Sequence, residues 1–263
     1  MTRNTELARK ASLLFPFKTI MVWSNEPRYD RSEHAIMRGK LGQRIHIFNV
    51  FTGDVFWHNL HFLSSYHFIH TNDLGMLRGR QLSADAVVAA KPFGERKMAI
   101  GIFGYREQTA YPIAGKDRDL NQLRQDIART GRQRGCCDVM GQGWPADIAL
   151  EATGYENEDT NNAPWWVRKL EVIQHYCFNI ALENTIWPYY VTEKIWHAIQ
   201  AGCVPVYYGA ESTIYETFPE GSFVDASHFS TPEDLWDFLE QMTEEEWTRR
   251  LRVCTDVYNR EMQ

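Results

Sequence analysis

From Lys97 onward, short apolar runs and longer amphipathic runs take turns, and this alternation restricts the chain to few folds. Lys97-Met-Ala-Ile-Gly-Ile-Phe-Gly104 reads as a buried strand ended by glycine, and a helix is expected from about Lys116 to Thr130. Cys137 to Met140 reads as the next strand, Trp165 to His175 as a helix, and Phe178-Asn-Ile-Ala-Leu182 as a strand. A helix over 192 to 201, a strand Val204-Pro-Val-Tyr-Tyr208 and a long amphipathic tail helix from Pro232 complete the series. Strands and helices in strict alternation argue for a parallel α/β sheet of Rossmann type.

Upstream the pattern is less regular. Lys18 to Ser24 is a β-branched apolar run between Pro16 and Pro27, hence a strand, and the charged loop Asn25 to Arg31 follows where α/β sheets place ligands. Arg44 to Phe51 alternates as a second strand, Thr52-Gly53-Asp54 turns the chain, and Val55 to Ile69 shows no period that settles its structure. The composition shifts at the linker-like Ala90-Lys-Pro-Phe-Gly-Glu-Arg96, which predicts two domains, 1–95 and 96–263.

With 263 residues, 44% of them hydrophobic, the chain can bury one large core or two modest ones. Its 28 basic residues against 34 acidic ones give no general pull toward nucleic acid or anionic lipid. Five cysteines without a CxxC pair form neither a disulfide framework nor a zinc knuckle. No stretch reaches the roughly 18 apolar residues of a membrane span.

The chemistry concentrates between Phe178 and Gly209. A strand ends at Leu182, a polar loop follows, and Thr192 is a good N-cap for a helix whose first turn carries Glu193 and Lys194. Backbone N–H groups at a helix start attract a pyrophosphate, and Lys194 adds a full charge beside them. Glu193 repels phosphate, so a sugar hydroxyl is its better partner. Glu and Lys side by side can thus divide one nucleotide sugar between them.

The order Phe-x-x-x-x-Glu-Asn184, Tyr-Val-Thr-Glu-Lys194, Ala-Gly-x-Val-Pro-Val-x-x-Gly209 and Ser222-Phe-Val-Asp225 with Phe229 resembles the donor-binding signature of the α-1,3/4-fucosyltransferases. The resemblance covers roughly residues 170 to 245. It implies a GT-B architecture of two Rossmann-like domains, GDP-fucose as donor, a glycan hydroxyl as acceptor and inversion at the sugar carbon. It further implies that Lys194 holds donor phosphate, that Glu193 and Asn184 contact the fucose side and that Tyr190 lines the donor pocket, with Glu183 a structural partner of the loop. By the same analogy Arg118 is the arginine that meets the pyrophosphate, and Glu26, in Ser24-Asn-Glu-Pro27, is the general base. One well-placed carboxylate suffices to take the acceptor proton.

Lys194, Arg118 and the helix start can neutralise the leaving GDP, so no metal site and no cofactor is expected, a divalent ion such as Mn2+ at most stimulating the reaction. About 17 residues precede the first strand, which makes the expected acceptor-side domain short or incomplete. The resemblance places a eukaryotic protein of this type in the Golgi lumen, with its membrane anchor elsewhere, and a bacterial one in the cytoplasm near the membrane. Two other readings stay open: a GT-B transferase with another donor, and a non-catalytic nucleotide-sugar or glycan-binding module.

Other motifs have plainer readings. His58, His61, His67 and His70 lack the companions of a metal set. Asp117-Arg-Asp119 reads as a helix start rather than a metal motif, and Trp165 and Trp166 as core packing or a pocket wall. The cysteines read as buried thiols.

Overall fold

The computed structural model describes residues 5–24, 36–39, 41–49, 81–107, 109–113, 115–149 and 165–261. The general-base candidate Glu26, the charged loop it sits in and the histidines at 58, 61, 67 and 70 lie outside the described residues.

Near the amino terminus, helix α1 (Thr5–Leu14) packs on a three-stranded sheet of β1 (Ile20–Ser24), β2 (Ile36–Arg38) and β3 (Arg44–Asn49). The order is β1-β3-β2, with β1 parallel and β2 antiparallel to β3. Ala8, Val22 and Ile45 are fully buried between helix and sheet. Both expected strands are thus present.

The second sheet contains β4 (Lys97–Ile102), β7 (Cys137–Met140), β8 (Tyr176–Ile180), β9 (Val204–Tyr207) and β10 (Val224–Asp225). Its order is β10-β9-β8-β4-β7, and every pairing is parallel. Parallel strands covered on both faces are mostly apolar, as in β8 and β9, where every residue is buried and the polar Asn179 donates to the Ile100 carbonyl. Ala99, Cys137, Val139, Phe178, Ile180, Val204 and Val206 face α3 (Asn121–Gln133), α6 (Pro232–Glu240) and α7 (Glu244–Glu261). Ile100, Tyr176 and Cys203 turn the other way, toward α4 (Trp165–Ile173) and α5 (Glu193–Gln200). The alternation Ala99-in, Ile100-out is the period of two that a doubly covered strand requires.

Two glycines set close approaches. A Cβ on Gly131 of α3 would lie 2.1 Å from the Trp236 ring, so only glycine lets α3 and α6 come this near. Trp236 donates its indole N–H to the Ile127 carbonyl across the same contact at 2.8 Å. Gly202 ends α5 at φ +73°, where a Cβ would also meet Val87.

The elements depart from expectation in three places. The helix expected from Lys116 starts at Asn121, because residues 112–117 form a small hairpin of β5 (Pro112–Ile113) and β6 (Lys116–Asp117). Asp117 accepts from the Tyr111 and Asp119 N–H groups, and Asp119 accepts from the Gln122 N–H at 2.8 Å, so these carboxylates fix the turn into the helix. The tail helix is two helices, the second begun by Thr243, whose hydroxyl accepts from the Glu246 N–H. Packing around the second sheet also begins ahead of the composition shift near residue 95. Helix α2 (Ala84–Ala90) lies on α7, Ala84 joins the main core, and Leu82 exchanges two hydrogen bonds with the Asn259 side chain at 2.8 and 2.9 Å.

Candidate active site

In chain order the second sheet runs outward from β4 to β7, then crosses to β8 on the opposite side of β4 and continues to β9 and β10. The connection therefore reverses between β4 and β8. At such a switch point the loops leave the carboxyl ends of two adjacent strands in opposite directions and open a crevice. The crevice is present: a small concavity is lined by Ile102, Phe103, Arg124, Lys169, Asn179 to Leu182 and Lys194. Among the described residues that line it, three are cationic and none is acidic.

Lys194 is held by a buried carboxylate. Glu183, two per cent exposed, accepts from the Thr192 N–H at 2.6 Å, the Thr192 hydroxyl at 2.8 Å and the Lys194 ammonium at 2.8 Å. Lys194 also donates to the Thr192 hydroxyl at 2.6 Å. Thr192 thus stands at the N-cap position without capping α5 through its side chain, since its hydroxyl is turned to Glu183. Burial pushes the Glu183 carboxyl above its ordinary pKa, and Lys194 pulls in the opposite direction without cancelling it. The expectation that Glu183 serves the loop structurally agrees with this geometry.

Glu193 lies 3.8 Å from Lys194 and is partly exposed. Burial would raise its pKa, but Lys194, Lys169 and His197 outweigh burial and hold the carboxyl well below the usual range, so it is ionised at neutral pH. An ionised carboxylate beside a cationic crevice accepts hydrogen bonds from sugar hydroxyls.

The loop after β8 is tied to the segment before α3. Leu120 donates its N–H to the Asn184 carbonyl at 3.1 Å, Ile186 donates to the Arg118 carbonyl at 2.8 Å, and the Asn121 side chain reaches the Asn184 carbonyl. Arg118 stacks over the Trp187 ring at 4.1 Å and donates to the Ile186 carbonyl. Tyr190 is buried beside Trp187. The structure thus gathers Lys194 and Glu193 at one rim, with Asn184, Arg118 and Tyr190 along the adjoining strap.

Arg118 is not among the residues that line the crevice; Arg124, six residues on, is. Arg124 is six per cent exposed, lies over the Phe103 ring at 4.7 Å and donates to the Asn121 side chain. It and Lys169 are the two lining cations that sequence reasoning missed. The signal was available in both helices, since each cation occupies the apolar stripe, Arg124 with Leu120, Ile127 and Ala128 and Lys169 with Leu170 and Ile173.

Sheet order and crevice together define an α/β protein with Rossmann-type topology, and a solved structure agrees. That of an α1,3-fucosyltransferase with GDP-fucose matches at TM-score 0.53 and 14% identity, over 89% of this chain and 65% of that one, which gives a GT-B-like fold. Residues 147–250 match the family described as glycosyltransferase family 10 (fucosyltransferase), C-terminal part. The chain is 37% identical over 75 residues to the 4-galactosyl-N-acetylglucosaminide 3-alpha-L-fucosyltransferase FUT6 of Pongo pygmaeus, covering 28% of this chain and 21% of that one. It is 34% identical over 85 residues to an alpha-(1,4)-fucosyltransferase of Arabidopsis thaliana, covering 32% of this chain and 21% of that protein. The matched stretch therefore spans about a fifth of either relative. The resemblance to the fucosyltransferase signature over roughly residues 170 to 245 is borne out by these matches.

Proposed function

We propose that the chain transfers L-fucose from GDP-fucose to a glycan hydroxyl, in α-1,3 linkage and with inversion at the sugar carbon. The observation that carries this reading is the cation-lined crevice at the switch point, built partly from the segment that matches the fucosyltransferase family. A diphosphate entering it meets Lys194 and Arg124, whose charges oppose the negative charge that grows on GDP as the sugar bond breaks. Glu193, held ionised, accepts from fucose hydroxyls and orients the sugar, with Asn184 on the adjoining strap. The Glu183 carboxylate fixes the Lys194 ammonium, so the crevice is organised before the donor arrives. Glu26 is the proposed general base, taking the acceptor proton as the hydroxyl attacks from the face opposite GDP. The reaction proceeds without an added metal ion, in the Golgi lumen of a eukaryote or at the cytoplasmic side of a bacterial membrane.

The test is GDP release from GDP-fucose with an N-acetylglucosamine-containing acceptor, in the presence and absence of EDTA. Wild-type turnover that Glu26→Gln abolishes while GDP still binds supports the assignment. Donor binding without turnover in either form favours a non-catalytic module, and preference for UDP over GDP favours another donor.

A further inference from the structure

We propose that Lys169 is a second ammonium of the crevice for the ligand's diphosphate, an inference that rests on the nucleotide-sugar reading above. Three observations converge on it.

First is position. Lys169 projects from α4, on the opposite side of the sheet from α3, yet it lines the same concavity as Arg124 and Lys194. The crevice therefore receives one cation from each of three helices.

Second is the cost of that position. Lys169 is six per cent exposed and shares the core-facing stripe of its helix with Leu170 and Ile173. An ammonium there loses water that leucine or methionine would not need, so the residue type is not chosen for packing. Burial draws its pKa down from 10.5 to about 8, helped by the neighbouring charge of Lys194 and opposed by Glu193 and Glu183. An arriving anion would favour the charged form.

Third is the local balance of charge. Glu183 and Glu193 are the carboxylates that act on Lys169, and both also act on Lys194. Among the described residues, the lining of the crevice holds three cations, Lys169, Lys194 and Arg124, and no carboxylate. A diphosphate seated on that lining would pair with these cations.

The experiment is calorimetric titration of the full chain and of Lys169→Met with GDP and with inorganic pyrophosphate, beside a thermal melt of each. The methionine variant is expected to melt at or above the wild-type temperature while its affinity for both ligands falls by about tenfold or more. Lys169→Arg, which keeps the charge, is expected to stay within about threefold of wild type for pyrophosphate. A methionine variant that binds GDP and pyrophosphate as the wild type does overturns the role of Lys169 and leaves the nucleotide reading standing. A melting temperature that drops together with affinity in both variants overturns it in favour of a structural lysine. A wild-type chain that binds neither ligand overturns the nucleotide reading and this inference with it.

Discussion

Lys194 reaches the Glu183 carboxylate at 2.8 Å across eleven positions of sequence, and that bond joins the end of a buried strand to the first turn of the helix beside it. The ammonium is partly exposed and the carboxylate almost wholly buried. An amide in place of the carboxylate turns one of its two acceptor oxygens into a donor facing the Thr192 and Lys194 donors. Glu183→Gln is expected to lower stability by about 3 kcal/mol, as for one lost member of a buried ion pair, and to weaken GDP binding through a displaced Lys194. Urea unfolding together with GDP titration checks both effects.

The two arginines near the start of α3 should differ. Arg124 lines the crevice, whereas Arg118 stacks on Trp187 outside it. Arg124→Ala is expected to reduce GDP affinity by about tenfold or more, and Arg118→Ala by clearly less. Circular dichroism of both variants checks that they fold, and calorimetry ranks them.

Stability should carry the imprint of Lys169. Its folded pKa, about 8, lies below the unfolded value near 10.5, so between those pH values the unfolded chain binds more protons. Stability contributed by this group is therefore lowest below pH 8 and rises toward pH 10.5, by up to about 3 kcal/mol. Denaturant titrations at pH 7, 8, 9 and 10 on wild type and Lys169→Met should show that rise only in the wild type.

Gly202→Ala combines a left-handed backbone with a Cβ 2.5 Å from the Val87 side chain. A loss of about 2 kcal/mol is expected, and Val87→Ala should recover the steric part but not the backbone part. A double-mutant cycle by thermal melting separates the two.

Four strands of the second sheet, between Lys97 and Tyr207, were legible because parallel strands buried on both faces carry mostly apolar runs, and the helices among them carry a period near 3.6. Tyr176–Ile180 and Val204–Tyr207 are close to the strands read from sequence. Lys116–Thr130 was misread at its start because Asp117 and Asp119 suit a helix opening as well as the hairpin turn they hold. The tail helix looked continuous because Thr243 interrupts the backbone without interrupting the apolar stripe. The Glu193-Lys194 pair was legible from its place after an N-cap. Arg124 and Lys169 were not, since a cation on a helix's apolar side looks like an imperfection of amphipathicity until the strand order shows which crevice it enters.

The reciprocal hydrogen bonds between Leu82 and the Asn259 side chain bring the start of the second unit against its last helix. A structural unit whose entry and exit points touch can be inserted, exchanged or circularly permuted without threading its chain through the core, because a short connector suffices to rejoin the ends. The five-stranded sheet and its helices have in this sense the layout of a cassette, with Leu82 and Asn259 side by side.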